Sequence, residues 1–426
     1  MANLLIGFDD HGSPVTLARN SLLRHTVVLG SSGSGKTAAC KVLVEECVRL
    51  GIPVIAIDPQ GDIASMALVG DVESAMINGV PSTVAEEFYN KAEVVIWTPG
   101  SSGGIPVSIA PSIDLNPSAS YEERVQGYGS IATALAGIAG QGRSGAEETA
   151  AIFAIALEYA DKSGILIENL NDFIALISDP PGDLHKAMEP LVDHRGRLGI
   201  AKKIRIKTLG PSRLMFELGN PIDVSCLLGY EPGGARDRGL TRVSVIYLNS
   251  LPTAEDKEIF VGSLCGAIYG WMLRNPSSGI QGVVFLDEAA DFIPPVRKPA
   301  SKEALMLLLR QSRKFGLANI ISSQHFGGIC YQATGNCGNV LLGRSTVRQE
   351  AEKIAPLLRS QAGSAAAEII ERLPNLKVGR FVLSSPENFA SPVGIRVRPM
   401  VSGHGAIDPD GVECLMSEET RERLGP

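Results

Sequence analysis

Aromatic side chains make up only 5% of this 426-residue chain, and no two of its cysteines stand at C-x-x-C spacing. The seven cysteines, at 40, 47, 226, 265, 330, 337 and 414, are scattered and odd in number, and the six histidines complete no metal set with them. A disulfide framework and a zinc-organised fold are excluded on these counts, and reduced thiols in a cytosol are expected. No stretch reaches the roughly 18 apolar residues that span a bilayer. The densest candidate, "SIATALAGIAG", is cut by glycines and followed by Gln141, Arg143 and Glu147. The opening "MANLLIGFDDHG" has no basic segment and too short an apolar run for a signal peptide, so a soluble, cytoplasmic protein without a membrane partner is expected. Excess positive charge is also missing. The formal charge is −7 and the pI about 5.5, which argues against a general basic coat but not against a local basic channel. Internal repeats and low-complexity tracts are absent.

What is present is a 44% hydrophobic fraction arranged in short runs. "TVVLG" (26–30), "PVIAID" (53–58), "EVVIWT" (93–98), "VSVIYL" (243–248), "GVVFLD" (282–287), "NIISS" (319–323) and "VLLG" (340–343) show almost no polar alternation. Strands buried on both faces read this way. Helical patterns at 36–50, 254–274 and 301–315 alternate with them, which predicts an α/β fold with a mostly parallel sheet. The rhythm breaks between about 119 and 220, where consecutive segments read as helices. The expected division is a hairpin over 1–24, core segments over 25–118 and 235–400, a mostly helical insertion over 119–234 with Pro117 and "GYEPGGARDRG" near its borders, and a C-terminal arm over 401–426.

Gly30-Ser31-Ser32-Gly33-Ser34-Gly35-Lys36-Thr37 fits G-x-x-x-x-G-K-[ST], with a strand before it and a helix after it. Glycines let the backbone aim its N–H groups at phosphate oxygens, and the helix dipole adds positive potential. Lys36 would reach the β/γ-phosphates of ATP and Thr37 would ligate Mg2+. "GVVFLDEAADFIPP" places Asp287 at the carboxyl end of a buried strand as a metal-shell ligand, and Glu288 follows at once, placed to activate a water. A small-molecule kinase or a switch GTPase does not need that adjacent glutamate, whereas a hydrolytic motor does. Asp58, in "PVIAIDPQGDI", caps another strand beside the phosphate loop; it could join the metal's water shell, help position the nucleophile, or only form its turn. Gln324 ends a strand and could sense the γ-phosphate. Arg310, Arg313 and Lys314 precede that strand, and one guanidinium could reach a neighbouring subunit's nucleotide; Arg344 is a second candidate.

In this order, "LRHTVVLGSSGSGKT", "AIDPQGDI", "VIYLNSLP", "VVFLDEAADFIPP", "SKEALMLLLRQSRKFGLANIISSQ", "VLLGRST" and "GRFVLSS" resemble the HerA/FtsK superfamily of ring-forming motor ATPases, HerA-type proteins most closely. The resemblance spans most of the chain outside the helical insertion. It implies a RecA-like P-loop core, a hexamer, and ATP-driven translocation of double-stranded DNA. Lys36 and Thr37 match the phosphate-loop pair, Asp287 and Glu288 the metal-binding and catalytic carboxylates, Gln324 the sensor and Arg313 the proposed trans-acting arginine. Asp58 matches the acidic residue of a D-P-H-G-E turn in which Gln60 and Asp62 replace the histidine and glutamate. HerA proteins often begin with a small β-barrel; "LLIGFDDHGSPVTL" has room for one hairpin, so a NurA-like nuclease would need another surface.

For DNA, backbone phosphates rather than bases are the expected contact. Two basic stretches qualify. One is Arg195, Arg197, Lys202, Lys203, Arg205, Lys207 and Arg213 in the insertion; the other is the loop "PPVRKPASKE" with Arg297, Lys298 and Lys302, which is preferred because it directly follows the catalytic strand. The leading expectation is an ATP-hydrolysing DNA translocase or helicase. The alternative is a hexameric scaffold that activates a partner nuclease or other effector, as in phage defence. A conjugative coupling ATPase is disfavoured by the lack of membrane helices.

Overall fold

The structure, a computed structural model, describes residues 3–109, 120–139, 143–167 and 169–425. Pro117 and the expected border at 118–119 lie outside the described residues. Among the described residues thirteen strands form one mixed sheet: β1 (Leu4–Phe8), β2 (Pro14–Leu17), β3 (Thr26–Leu29), β4 (Val54–Asp58), β5 (Ala92–Pro99), β6 (Ile105–Ser108), β7 (Asn220–Pro221), β8 (Thr241–Tyr247), β9 (Gly282–Leu286), β10 (Leu317–Ser323), β11 (Asn339–Leu342), β12 (Arg380–Ser384) and β13 (Val393–Val397). Their order is β2-β1-β13-β12-β11-β3-β10-β9-β4-β8-β5-β6-β7.

From β11 to β7 every neighbouring pair is parallel, while β12, β13, β1 and β2 extend the sheet as antiparallel strands. Every residue of β3, β4, β8, β9, β10 and β11 is buried. That explains the unbroken apolar runs, since each fully buried Val, Ile or Leu contributes on the order of 1.5–3 kcal/mol. The sheet is covered by helices, chiefly Lys36–Arg49, Ala254–Arg274 and Lys302–Gln311. Thr253 caps the second of these, its hydroxyl accepting the Asp256 amide at 3.1 Å.

Between β6 and β7 the chain leaves the sheet for an excursion that includes helices Tyr121–Ile138, Arg143–Ser163, Leu170–Ser178, Gly182–Met188 and His194–Lys207. Reciprocal capping boxes start two of them, at Ser120/Glu123 and Asn169/Asp172. Outgoing and returning segments zip together: β6 pairs with β7, and the Ile109 amide donates to Met215 O at 2.9 Å. The 401–425 segment packs along its own chain. Tyr247 Oη donates to Ile407 O at 2.9 Å, and Arg421 donates to the Gly103 and Gly104 carbonyls at 2.7 and 3.2 Å.

Candidate active site

Four neighbouring strands, β11-β3-β10-β9, bring their carboxyl ends to one edge of the sheet. They present Arg344, the phosphate loop, Gln324 and the Asp287–Glu288 pair in that spatial order. Parallel strands make this convergence possible, because each ends on the same side.

The loop wraps through two left-handed glycines, Gly33 (φ 70°) and Gly35 (φ 93°). A side chain at Gly35 would also meet Gly379 N, 3.1 Å from the Cβ position. Neighbouring strands brace the loop: Gly30 N donates to Ser323 O at 3.2 Å, Ser31 N to Arg344 O at 2.9 Å, and Gly379 N to Ser34 O at 2.9 Å. Among the described residues, the amides of Ser32, Gly33, Gly35, Lys36 and Thr37 donate to no protein acceptor, nor does the half-buried Thr37 hydroxyl bond to one. A run of unpaired N–H groups at a helix start fits an anion, and the residues present therefore fit the phosphates of a nucleotide.

Lys36 Nζ lies 3.0 Å from Asp287 Oδ1, 2.7 Å from Glu288 Oε1 and 3.3 Å from Ser322 Oγ. The Glu288 contact is an ion pair without hydrogen-bond angles. Ser322 Oγ donates in turn to Asp287 Oδ1. All four side chains are buried. Burial pulls the Lys36 ammonium down, but Asp287 and Glu288 outweigh it and hold the group above its ordinary value. Glu288 stands in the left-handed region (φ 46°, ψ 51°), a conformation that costs a non-glycine residue about 1–3 kcal/mol. This turn directly after β9 folds the carboxylate back over the sheet edge toward Lys36. The Gln324 backbone N–H, not its side chain, donates to Glu288 Oε2 at 3.4 Å, so the end of β10 touches the acidic pair.

The other expected residues are placed less uniformly. Asp58 is buried and serves its own turn: Oδ1 accepts Gln60 N and Gly61 N at 3.3 and 2.8 Å, and Oδ2 accepts Ile63 N and Ala64 N, both at 2.9 Å. Burial pushes its carboxyl up to about 6 against these amide bonds, with the Asp287 charge adding to the rise. All four bonds are made within its own turn. Arg344 flanks its own chain's loop, with Nη2 3.9 Å from the Gly33 Cβ position and Nε buried without a partner. Arg313 is exposed in the turn Ser312–Phe315, before the amino end of β10, at the sheet edge opposite the phosphate loop. The seven residues of β10 alone span about 23 Å at ~3.3 Å each, so Arg313 is out of reach of its own loop.

Under that opposite edge lies a buried histidine that no motif signalled. His25 opens β3 with φ 57°, and its Nδ1 accepts the Asn319 amide at 3.1 Å. Asn319 Nδ2 donates to Ser312 Oγ at 2.7 Å, tying the arginine-bearing turn to β10. Burial pulls the imidazole down to about 4; a backbone hydrogen bond at Leu309 opposes this and Arg313 adds to it.

The two basic stretches differ in freedom. In the 294–302 loop, Arg297 pairs with Glu258, and Lys302 Nζ donates to the carbonyls of Pro294, Pro295 and Arg297 at 2.5, 3.3 and 3.1 Å. Lys298 is 3.9 Å from Glu147 at the surface. On helix His194–Lys207, Arg195, Lys202, Lys203 and Arg205 are exposed and, among the described residues, form no ion pair, whereas Arg197 is buried against His194. The loop cations thus make contacts within the fold, whereas among the described residues those four helix cations do not.

Fold and site together define a P-loop nucleotide-binding protein of the mostly parallel α/β class. Residues 3–117 match the family described as "Helicase HerA-like C-terminal". Over nearly the whole chain the fold is similar to that of VirB4 of Thermoanaerobacter pseudethanolicus (16% identity, 94% of this chain and 97% of that one, TM-score 0.60). It is likewise similar to the plasmid coupling protein TrwB in complex with ADP and Mg2+ (14% identity, 96% and 92% covered, TM-score 0.55) and with a non-hydrolysable ATP analogue (13%, 96% and 97%, 0.57). No curated protein matches the sequence. The resemblance to HerA-type proteins read from the motifs is borne out by the family match over residues 3–117, and the similar solved structures bear out the α/β fold. Among the described residues no helix is long and apolar enough to cross a membrane.

Proposed function

We propose that the protein is an ATP-hydrolysing motor that works as a ring, most simply a hexamer, on double-stranded DNA. One observation carries the reading: Lys36, Asp287 and Glu288 meet within 3.0 Å at the edge where the loop's unpaired amides lie, with Gln324 on the strand between them. Those amides and Lys36 would hold the phosphates, while Thr37 and Asp287 would hold Mg2+. When bound, the metal neutralises charge on the phosphoryl oxygens. Glu288 then orients a water and takes its proton, Gln324 reports the contact to β10, and Arg344 adds positive charge in cis. The exposed cations of helix His194–Lys207 support phosphate tracking without base readout.

The test is ATP turnover with and without linear duplex DNA across a salt series, for the unaltered protein and Glu288→Gln. Expected are stimulation by duplex that fades as salt rises and a loss of about 10²–10⁴-fold in turnover for Glu288→Gln with ATP binding retained. Undiminished turnover in that variant would reject the site assignment. Turnover indifferent to any nucleic acid would shift the reading to a scaffold that activates a partner effector.

A further inference from the structure

Ser322 is fully buried on β10, one strand away from Asp287 and one from the phosphate loop. Inside the site its hydroxyl donates to Asp287 Oδ1 and accepts from Lys36 Nζ at 3.3 Å. Asp287 Oδ1 therefore has two donors, Lys36 and Ser322, while Oδ2 accepts no hydrogen bond from any described residue. The register that places Ser322 there is fixed by the sheet, since β10 is hydrogen-bonded to β3 on one side, with Ser322 opposite Val28, and to β9 on the other.

We infer that Ser322 is the positioning residue for the metal-binding carboxylate. The two donors on Asp287 behave differently when phosphates arrive. Lys36 is the counter-ion of two buried carboxylates, and it must redirect at least one N–H to reach a phosphate. The Ser322 hydroxyl is neutral and has no such competing task, so it stays on Oδ1. It thereby holds the carboxylate plane fixed and leaves Oδ2, to which no described residue donates, available to a metal ion. Groups that orient a ligating carboxylate in this way commonly influence metal affinity by 10–100-fold when removed. This inference rests on the reading of Asp287 as the metal carboxylate.

The experiment is Mn2+ affinity of the ADP-bound protein, read by electron paramagnetic resonance so that turnover is not needed. The unaltered protein is compared with Ser322→Ala, Ser322→Thr and Asp287→Asn, with metal-free ADP affinity and thermal unfolding measured alongside. Expected is a ten-fold or greater weakening of Mn2+ binding in Ser322→Ala, restoration in Ser322→Thr, and unchanged metal-free ADP binding in both. Unchanged Mn2+ affinity in Ser322→Ala, while Asp287→Asn loses the metal, overturns the role of Ser322 alone. Unchanged affinity in Asp287→Asn overturns the site reading beneath it. A Ser322→Ala variant that loses metal-free ADP binding in the same proportion as Mn2+ binding also overturns the assignment, because only general damage would act on both.

Discussion

Lys36 Nζ donates hydrogen bonds to the Asp287 carboxylate and the Ser322 hydroxyl, and it pairs by charge with Glu288. The lysine was legible in the sequence because a phosphate loop is a local pattern of eight consecutive residues. Asp287 and Glu288 were legible for a similar reason, as polar residues ending an apolar run. Ser322 and His25 were not, because a buried serine or histidine has meaning only through neighbours on other strands. His25 yields a pH prediction. Its folded value, about 4, lies below the ordinary 6.5, so its stability contribution is fully present above pH 6.5 and is lost as pH falls through 4. The difference between the two values corresponds to about 3 kcal/mol. In chemical denaturation across pH 7 to 4, His25→Asn, which keeps a side chain tolerant of positive φ, is expected to lose about that much less stability than the unaltered protein. Parallel pH curves for the two would reject the assignment.

At the scale of the element, the helix Lys36–Arg49 has a second role at its far end. Glu45 and Glu46, fully buried, bind Arg398 Nη1 and Nη2 at 2.7 and 2.9 Å, and Arg398 is itself fully buried. Glu46 also accepts the Leu5 amide at 2.7 Å, and Glu45 accepts the Val401 and Ser402 amides at 2.9 and 2.8 Å. The helix that begins at the nucleotide site thus fastens the β1 strand and the segment after β13. Breaking a buried pair leaves uncompensated charge, at about 3–5 kcal/mol. Arg398→Met is expected to lower stability by that order in urea denaturation, without loss of the parallel core strands. A change below 1 kcal/mol would show that the clasp is dispensable. The strands and helices of the core were predictable from period and run length, whereas this clasp joins positions 353 apart, and no local pattern marks Glu45 as buried rather than solvated.

For the molecule as a whole, the two edges of the sheet divide the chemistry. The phosphate loop and acidic pair lie at one, and exposed Arg313 lies at the other. If Arg313 completes a neighbour's site, subunits carrying Arg313→Ala and subunits carrying Lys36→Ala are each inactive alone but recover part of the activity when mixed. That recovery is the expected result in an ATPase assay of mixed rings; its absence, with mixed assembly shown by size, would remove Arg313 from the site. The helical excursion was legible as a break in strand–helix rhythm, but its return beside its own exit was not, since β7 is only two residues long. That geometry has an evolutionary consequence. A segment that departs and rejoins on adjacent strands can lengthen, shrink or be exchanged while the registers of β3, β9 and β10 stay as they are. The excursion can therefore change without disturbing the edge that carries the phosphate loop, and divergence among relatives should concentrate between β6 and β7.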